Sequence, residues 1–266
     1  MFIFDKLREQ KLKTFKLDKY YFDAVDPLGQ TWIGYSARLS WFGFCLNYSQ
    51  SLFSENNQNM SLKTNFQKHP SPQADPEFIC NTKLFSLSAQ IHARGFSERL
   101  HNNTQGLVDW HCLEPSTNMS VRLANKKEFL GIGYIEKLTM TIKPWQLPIA
   151  SLIWGRFIGQ KHTAVWIKWE HSKTQNWLFI NGQKQDQGDI SNSFVKTNNW
   201  NLNIEHEKTL INSRPFMEHT RLVGMLMPSS MRNMHEQKYL GRGYLQTGKE
   251  ADQGWVIHER VKFKVV

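Results

Sequence analysis

The sequence predicts an all-β protein built from two related domains. Three observations carry this. Alternating apolar and polar segments bounded by Gly, Pro, Asn or Asp recur along the whole chain, while helical periodicity is scarce. The stretch around 131, GIGYIEKLTMTI, has an echo around 241, GRGYLQTGKEADQGWVIHERVKFKV, where the strand resumes after an inserted turn. Between them lies KPWQLP, whose Pro144 and Pro148 refuse regular structure and mark the boundary. The expected domains are 1–143 and 144–266.

Individual elements follow from the same rule. TWIGYSARLSW alternates Ile33, Tyr35, Ala37, Leu39 and Trp41 against small or polar residues, and FGFCLNY can return as its hairpin partner. AVWIKW and NWLFING flank EHSKTQ in the same way. The stretch 54–76 is polar and proline-bearing and reads as a long loop. The N-terminal arm, residues 1–20, carries six of the 33 basic residues and three acidic ones, and reads as a solvated arm dispensable for folding.

Composition narrows the function classes. With 266 residues, 40% of them hydrophobic, the chain can bury a sizeable core. No run of about 18 apolar residues exists, and the N-terminus lacks the apolar stretch and cleavage site of a signal peptide. Three widely spaced cysteines, Cys45, Cys80 and Cys112, form no CxxC motif, so a reducing cytoplasmic compartment fits. The net charge of +10 is scattered, without a dense Lys/Arg run or a zinc-finger spacing. Nucleic acid is therefore not an expected partner; peripheral contact with an anionic membrane face is the alternative to a plain solvated surface. Ten histidines without ligand spacing predict no metal site. GIGYIE lacks the third glycine of a dinucleotide fingerprint, and GRFIGQK has the wrong spacing for a phosphate loop.

The candidate site residues are charges in apolar company. Counting by twos from Ile132 puts Tyr134, Glu136, Leu138, Met140 and Ile142 on one face, with a carboxylate in its middle. Burying that group bare costs several kcal/mol, roughly, so it needs a partner, a proton or water. Glu259 repeats the pattern between Ile257 and Val261, and Arg156 lies between Trp154 and Ile158. Two readings follow: a structural Glu136–Arg156 clasp, or a ligand cavity into which Glu136, Glu259 and Arg156 point, lined by Tyr134, Trp154 and Trp166. A poorly solvated glutamate can donate a proton near neutral pH. In GLVDWHCLEP, Asp109 and His111 share a face as an acid–base pair or as the solvent side of a hairpin, and Cys112 reads as a small core residue.

At GIGYIEKLTMTIKPWQLPIASLIWGRF the chain resembles the carotenoid 1,2-hydratase (hydroxyneurosporene synthase) and AttH-like lipocalin-related superfamily. The similarity rests on Gly133-Tyr134-x-Glu136, on Pro144-Trp-x-Leu-Pro148 and on Trp154-Gly-Arg156, with YYFDAVDPLGQTWIGYSARLSW and GWVIHERVKF similar to its first hairpin and closing strand. The resemblance implies two tandem calycin-like β-barrels or sandwiches enclosing space for an apolar ligand. It also implies a polyene or prenyl substrate, no cofactor, and either hydration, cyclisation or a pericyclic reaction of the Diels–Alderase type. A non-enzymatic lipid or isoprenoid carrier is the other reading.

Overall fold

The computed structural model describes residues 15–54, 61–92, 95–214, 228–248 and 250–263. The chain divides into two units, Met1–Gln146 and Leu147–Val266, parted within the Pro144–Pro148 segment after a 3-10 turn at Pro144–Gln146. Each unit is one antiparallel sheet.

In the first unit the strands are β1 (Lys16–Val25), β2 (Thr31–Trp41), β3 (Phe44–Ser54), β4 (Ser61–Asn65), β5 (Gln73–Ala74), β6 (Glu77–Asn81), β7 (Phe85–Gln90), β8 (Phe96–Asn103), β9 (Gly106–Leu123) and β10 (Glu128–Met140). They lie in the order β4-β3-β2-β1-β10-β9-β7-β6-β5, with β8 added against β9. The second unit contains β11 (Ser151–Gly159), β12 (Thr163–Glu170), β13 (Gln175–Ile180), β14 (Gln183–Gln185), β15 (Asp189–Ile190), β16 (Phe194–Lys196), β17 (Asn201–Ser213), β18 (His235–Thr247) and β19 (Glu250–Lys262). Their order is β14-β13-β12-β11-β19-β18-β17-β16-β15. With β8 set aside the two orders correspond strand for strand. In both, the first strand pairs with the last, so the free edges fall in mid-sequence.

Aromatic packing curls each sheet into a barrel. Phe22 on β1 meets Phe78 on β6 at 5.6 Å and Phe85 on β7 at 6.1 Å, and Trp32 on β2 meets Phe85 at 5.0 Å. Those strands are separated in the sheet by β10 and β9, so only strong curvature brings them together. In the second unit Lys168 Nζ on β12 donates to the Ile190 carbonyl on β15, and Asn176 Nδ2 on β13 donates to the Gly188 carbonyl. These bonds tie one end of the sheet to the other. The fold is thus two tandem antiparallel β-barrels.

Both expected hairpins form. β2 returns to β3 through Phe42–Gly43, both at positive φ, the geometry of a tight two-residue turn. β12 pairs with β13 across residues 171–174.

Three expectations need correction. The stretch 54–76 contains β4, a polar edge strand on β3, as well as the short β5. Edge strands tolerate Lys, Ser and Thr because one side meets water. Second, the two Gly-x-Gly-Tyr segments are not equivalent: Gly131–Tyr134 belongs to the closing strand β10, whereas Gly241–Tyr244 belongs to β18, the strand before the closing one. Glu136 and Glu259 do lie on the corresponding closing strands β10 and β19.

Third, residues 16–20 of the basic arm begin β1, between β2 and β10, and Phe15 is buried against Trp41 and Trp145. Residues 1–14 of that arm lie outside the described residues. Deleting 1–14 leaves β1 whole, whereas deleting 1–20 removes half of a central strand. The longer deletion should therefore lower the melting temperature far more; equal effects in thermal CD would contradict this placement.

Candidate active site

The central strands are buried on both faces, and the sequence-predicted site residues divide between those faces. In the first unit the barrel core contains Phe22, Trp32, Phe78, Phe85, Phe129 and Ile135. Ile135, on the side of β10 read from sequence as polar, is the one that points to this core. Tyr134 and Glu136 lie on the other side, which is also buried at Tyr21, Tyr35, Trp110, Cys112 and Tyr134. Ile132, read as part of the apolar face, is 49% exposed. The register irregularities on either side of Ile135 place the extra residues on β9, whereas β10 keeps its alternation, with Phe129 and Ile135 in one core.

Glu136 sits in a row that runs Tyr35, Tyr21, Glu136, Cys112 across β2, β1, β10 and β9. Its Oε2 accepts two hydrogen bonds, from Trp110 Nε1 at 2.5 Å and from the Tyr134 hydroxyl at 2.8 Å. The Tyr21 ring lies 5.3 Å from that of Tyr35 and 6.3 Å from that of Tyr134. Burial, followed by Cys112 and Glu136, holds the Tyr134 hydroxyl well above its ordinary pKa, so it stays a neutral donor. Burial likewise keeps the Cys112 thiol protonated. The result is a carboxyl oriented by two neutral donors amid aromatic rings. Donors on a carboxylate oxygen favour its ionised form, whereas an apolar setting favours the acid.

The remaining candidates belong to the second unit. Trp154, Arg156 and Glu259 share a face, Trp154 being the register partner of Glu259. Arg156 is 1% exposed and its Nη1 donates to the Trp255 carbonyl at 3.0 Å. Glu259 Oε2 is 2.8 Å from the ammonium of Lys238, its register partner on β18. Trp166 lies on the opposite face, in the core with Ile153 and Phe157, its indole covering Gly155. The expected Glu136–Arg156 clasp joins residues of different units; within its own unit each is held as just described.

Asp109 and His111 are the solvent side of the β8–β9 pair: Arg99 Nε is 2.8 Å from Asp109, and His111 Nδ1 lies 2.8 Å from the Ser97 hydroxyl. Sequence reasoning missed Trp110 as the partner of Glu136 and Lys238 as the partner of Glu259. Alternation gave a usable hint for Lys238, which precedes Leu240 by two on a buried strand face. For Trp110 only the register of β9 on β10 could have supplied it.

A cleft of about 330 Å³ in the first unit is lined by Lys16, Asp18, Tyr20, Arg38, His69 and Lys137, among others. It is polar and basic, unlike the apolar space the resemblance implies. Among the described residues no group of three or more His, Cys, Asp or Glu is placed to hold a metal ion. No helix among them is long and apolar enough to cross a membrane.

This architecture defines a class, the two-barrel proteins whose sheets each pair first strand with last. No protein-family model matches the chain, and no curated protein matches it by sequence. Solved structures do share its fold. An AttH-type protein of Nitrosomonas europaea superposes with a TM-score of 0.58 at 8% identity, over 93% of this chain and 93% of that one. Kievitone hydratase of Nectria haematococca gives 0.54 at 8% identity, over 94% and 89%. CghA bound to Sch210972 gives 0.51 at 8% identity, over 93% and 88%. The AttH-like fold is therefore common to all four, and at such identities the likeness is one of fold.

Proposed function

We propose that the protein binds an apolar polyene or prenyl-type small molecule and adds water across one of its alkenes, in the manner of a carotenoid 1,2-hydratase. The observation that carries this reading is Glu136, half-buried, oriented by Trp110 and Tyr134 and faced by the tyrosine cluster of β1 and β2. In its acid form Glu136 transfers a proton to one carbon of a trisubstituted alkene, and the other carbon becomes a tertiary cation. Aromatic faces stabilise that cation. Water then adds to it and gives up a proton, restoring the acid. That one protein of the same fold is a hydratase, and another holds a small molecule, supports the class of reaction.

One observation favours a second reading. Two donors on Glu136 Oε2 stabilise the carboxylate, which suits a fixed anion in a non-enzymatic isoprenoid carrier better than an acid.

Glu136→Gln separates the two. The test is turnover of an acyclic polyene with a terminal trisubstituted alkene in ¹⁸O-labelled water. The hydratase reading expects label incorporation that follows a carboxyl titration and falls by about 10²–10⁴-fold in the variant, with stability nearly unchanged. The carrier reading expects no label and ligand binding nearly flat between about pH 5 and 8.

A further inference from the structure

Ser36 lies on the inner wall of the first barrel, where the aromatic core gives way to the polar cleft. Two residues before it on β2 comes Gly34 and four before it Trp32, both packed against Phe22. Its register partner on β1, Tyr20, stacks on the Phe22 ring at 6.3 Å. Ser36 and Tyr20 also line the cleft of about 330 Å³, a volume suited to a small ligand. The cleft reaches solvent past exposed Lys16, Arg38 and Ser71.

Ser36 Oγ lies 2.9 Å from Nε2 of His69, which lines the same cleft, and His69 Nδ1 lies 3.1 Å from the Gln67 carbonyl. A carbonyl oxygen only accepts, so Nδ1 carries a proton. In the neutral ring Nε2 is then the lone-pair nitrogen, and the Ser36 hydroxyl donates to it. The orienting carbonyl is itself held: the Gln67 amide donates to Asn65 Oδ1 at 2.8 Å, and Pro70 and Pro72 restrict the chain beyond. A hydroxyl, a base within hydrogen-bond reach and a third group that orients the base are the parts of an activated nucleophile. Cys80 is not a rival for that role. It touches Ser36 from the core, is 1% exposed, and burial pushes its thiol up to about 12.

Charge in the cleft suits the same chemistry. Lys16 and Lys137 share Asp18, at 2.9 and 3.7 Å, and Arg38 is the register partner of Asp18 on β2. Three cations against one carboxylate leave the cleft positive. Register also sets Lys137, Tyr20 and Ser36 in one row, with the Lys137 ammonium 5.5 Å from the centre of the Tyr20 ring. Positive charge here attracts an acidic substrate and favours the oxyanion that forms when a carbonyl is attacked.

We infer that Ser36 and His69 hydrolyse a small carboxylic ester that carries a separate negative charge. Ser36 Oγ bonds to the carbonyl carbon while its proton passes to His69 Nε2; the ester C–O bond then breaks and that proton leaves with the alcohol. Water next gives a proton to Nε2 and adds to the acyl carbon. The acyl–Oγ bond breaks, the acid departs, and the proton returns to Ser36. Lys137 shares the inner face of β10 with Ile135, opposite Glu136, so the site does not depend on the role of Glu136.

The test treats the full-length protein with a small alkyl fluorophosphonate, which phosphonylates activated serines with loss of fluoride, and locates the adduct by peptide mass spectrometry. In parallel, hydrolysis of mono-4-nitrophenyl adipate is compared with that of its neutral analogue 4-nitrophenyl hexanoate. A single adduct on Ser36 is expected, lost when the protein is denatured first. The adipate ester should be turned over saturably with kcat/KM about tenfold or more above the hexanoate. Ser36→Ala and His69→Asn, the latter keeping a donor for the Gln67 carbonyl but no base, should each lower that rate by about 10²–10⁴-fold. Labelling of the unaltered protein decides the matter even if a variant does not fold. No adduct on Ser36 overturns the inference, and is the result expected if the hydrogen bond only anchors residues 66–72. So does adipate hydrolysis unchanged in Ser36→Ala, or equal kcat/KM for the two esters.

Discussion

Glu259→Gln is expected to destabilise the protein by roughly 3–5 kcal/mol, because it takes the carboxylate at 2.8 Å away from a buried ammonium. Lys238 has a side chain 0% exposed, and its Nζ lies 2.8 Å from Glu259 Oε2 but 3.8 Å from Glu236 Oε1. Removing the nearer carboxylate takes away the shorter of these two ion pairs, which disfavours the charged form of a buried ammonium. The converse change, Lys238→Met, should cost less, since the Glu259 side chain keeps 19% of its surface in water. The double change Lys238→Met with Glu259→Leu should recover most of the loss, as replacing both members of a buried pair by apolar groups usually does. Urea denaturation of the four proteins checks this order. Equal losses for the two single variants, or a double variant as unstable as Glu259→Gln, would show that the pair is not the source of the effect.

That pair also marks where sequence reasoning stopped. Period-two alternation located β2, β3, β12 and β13 and paired them correctly, because turn residues fix hairpins locally. It also singled out Glu136, Arg156 and Glu259 as charges among apolar neighbours. It could not say which side of those strands faces a barrel interior, because β1, β2, β11 and β12 are buried on both sides and their apolar residues no longer mark one face. Hence the face shared by Ile132 and Glu136 reads as the apolar one, although Ile132 is 49% exposed and Ile135, on the opposite face, is in the core. The pairing of Trp110 and Lys238 with their glutamates escapes the sequence for a different reason. Each meets its glutamate through strand register, a non-local property that neither composition nor spacing encodes. The Gly-x-Gly-Tyr echo failed because short glycine-bearing strands recur wherever a neighbouring side chain or backbone comes close, as at Gly133 and Gly243, without implying equivalent positions.

Asp252→Ala is expected to be among the most damaging single changes away from the aromatic cores. Asp252, 9% exposed, accepts from the backbone amides of Gln160, Lys161, His162 and Gln253 at 2.9–3.1 Å. Three of these amides form the turn from β11 to β12, and Gly159 leaves room for the carboxylate: a Cβ there would lie 2.2 Å from Asp252 Oδ2. Deleting the carboxylate orphans several amides at once, at about 1–3 kcal/mol for each that water does not reach, so a loss of about 3–5 kcal/mol is expected. Asp252→Asn, which keeps one acceptor oxygen, should fall between. The pH dependence has a definite sign. Burial alone would raise the pKa of Asp252, but the backbone amides outweigh it and hold the folded-state value below 3.8. A depressed folded pKa means stabilisation that is fully present above the unfolded value and lost as pH falls through the folded one. The gap in melting temperature between the natural protein and Asp252→Asn should accordingly be constant from pH 7 to about 5 and shrink below about 4. Asp18, Asp109 and Glu170, whose pKa values are also lowered, contribute equally to both proteins and cancel from this difference. A gap that persists unchanged down to pH 3, or widens, would mean that the turn is held by shape and packing rather than by the charge on Asp252.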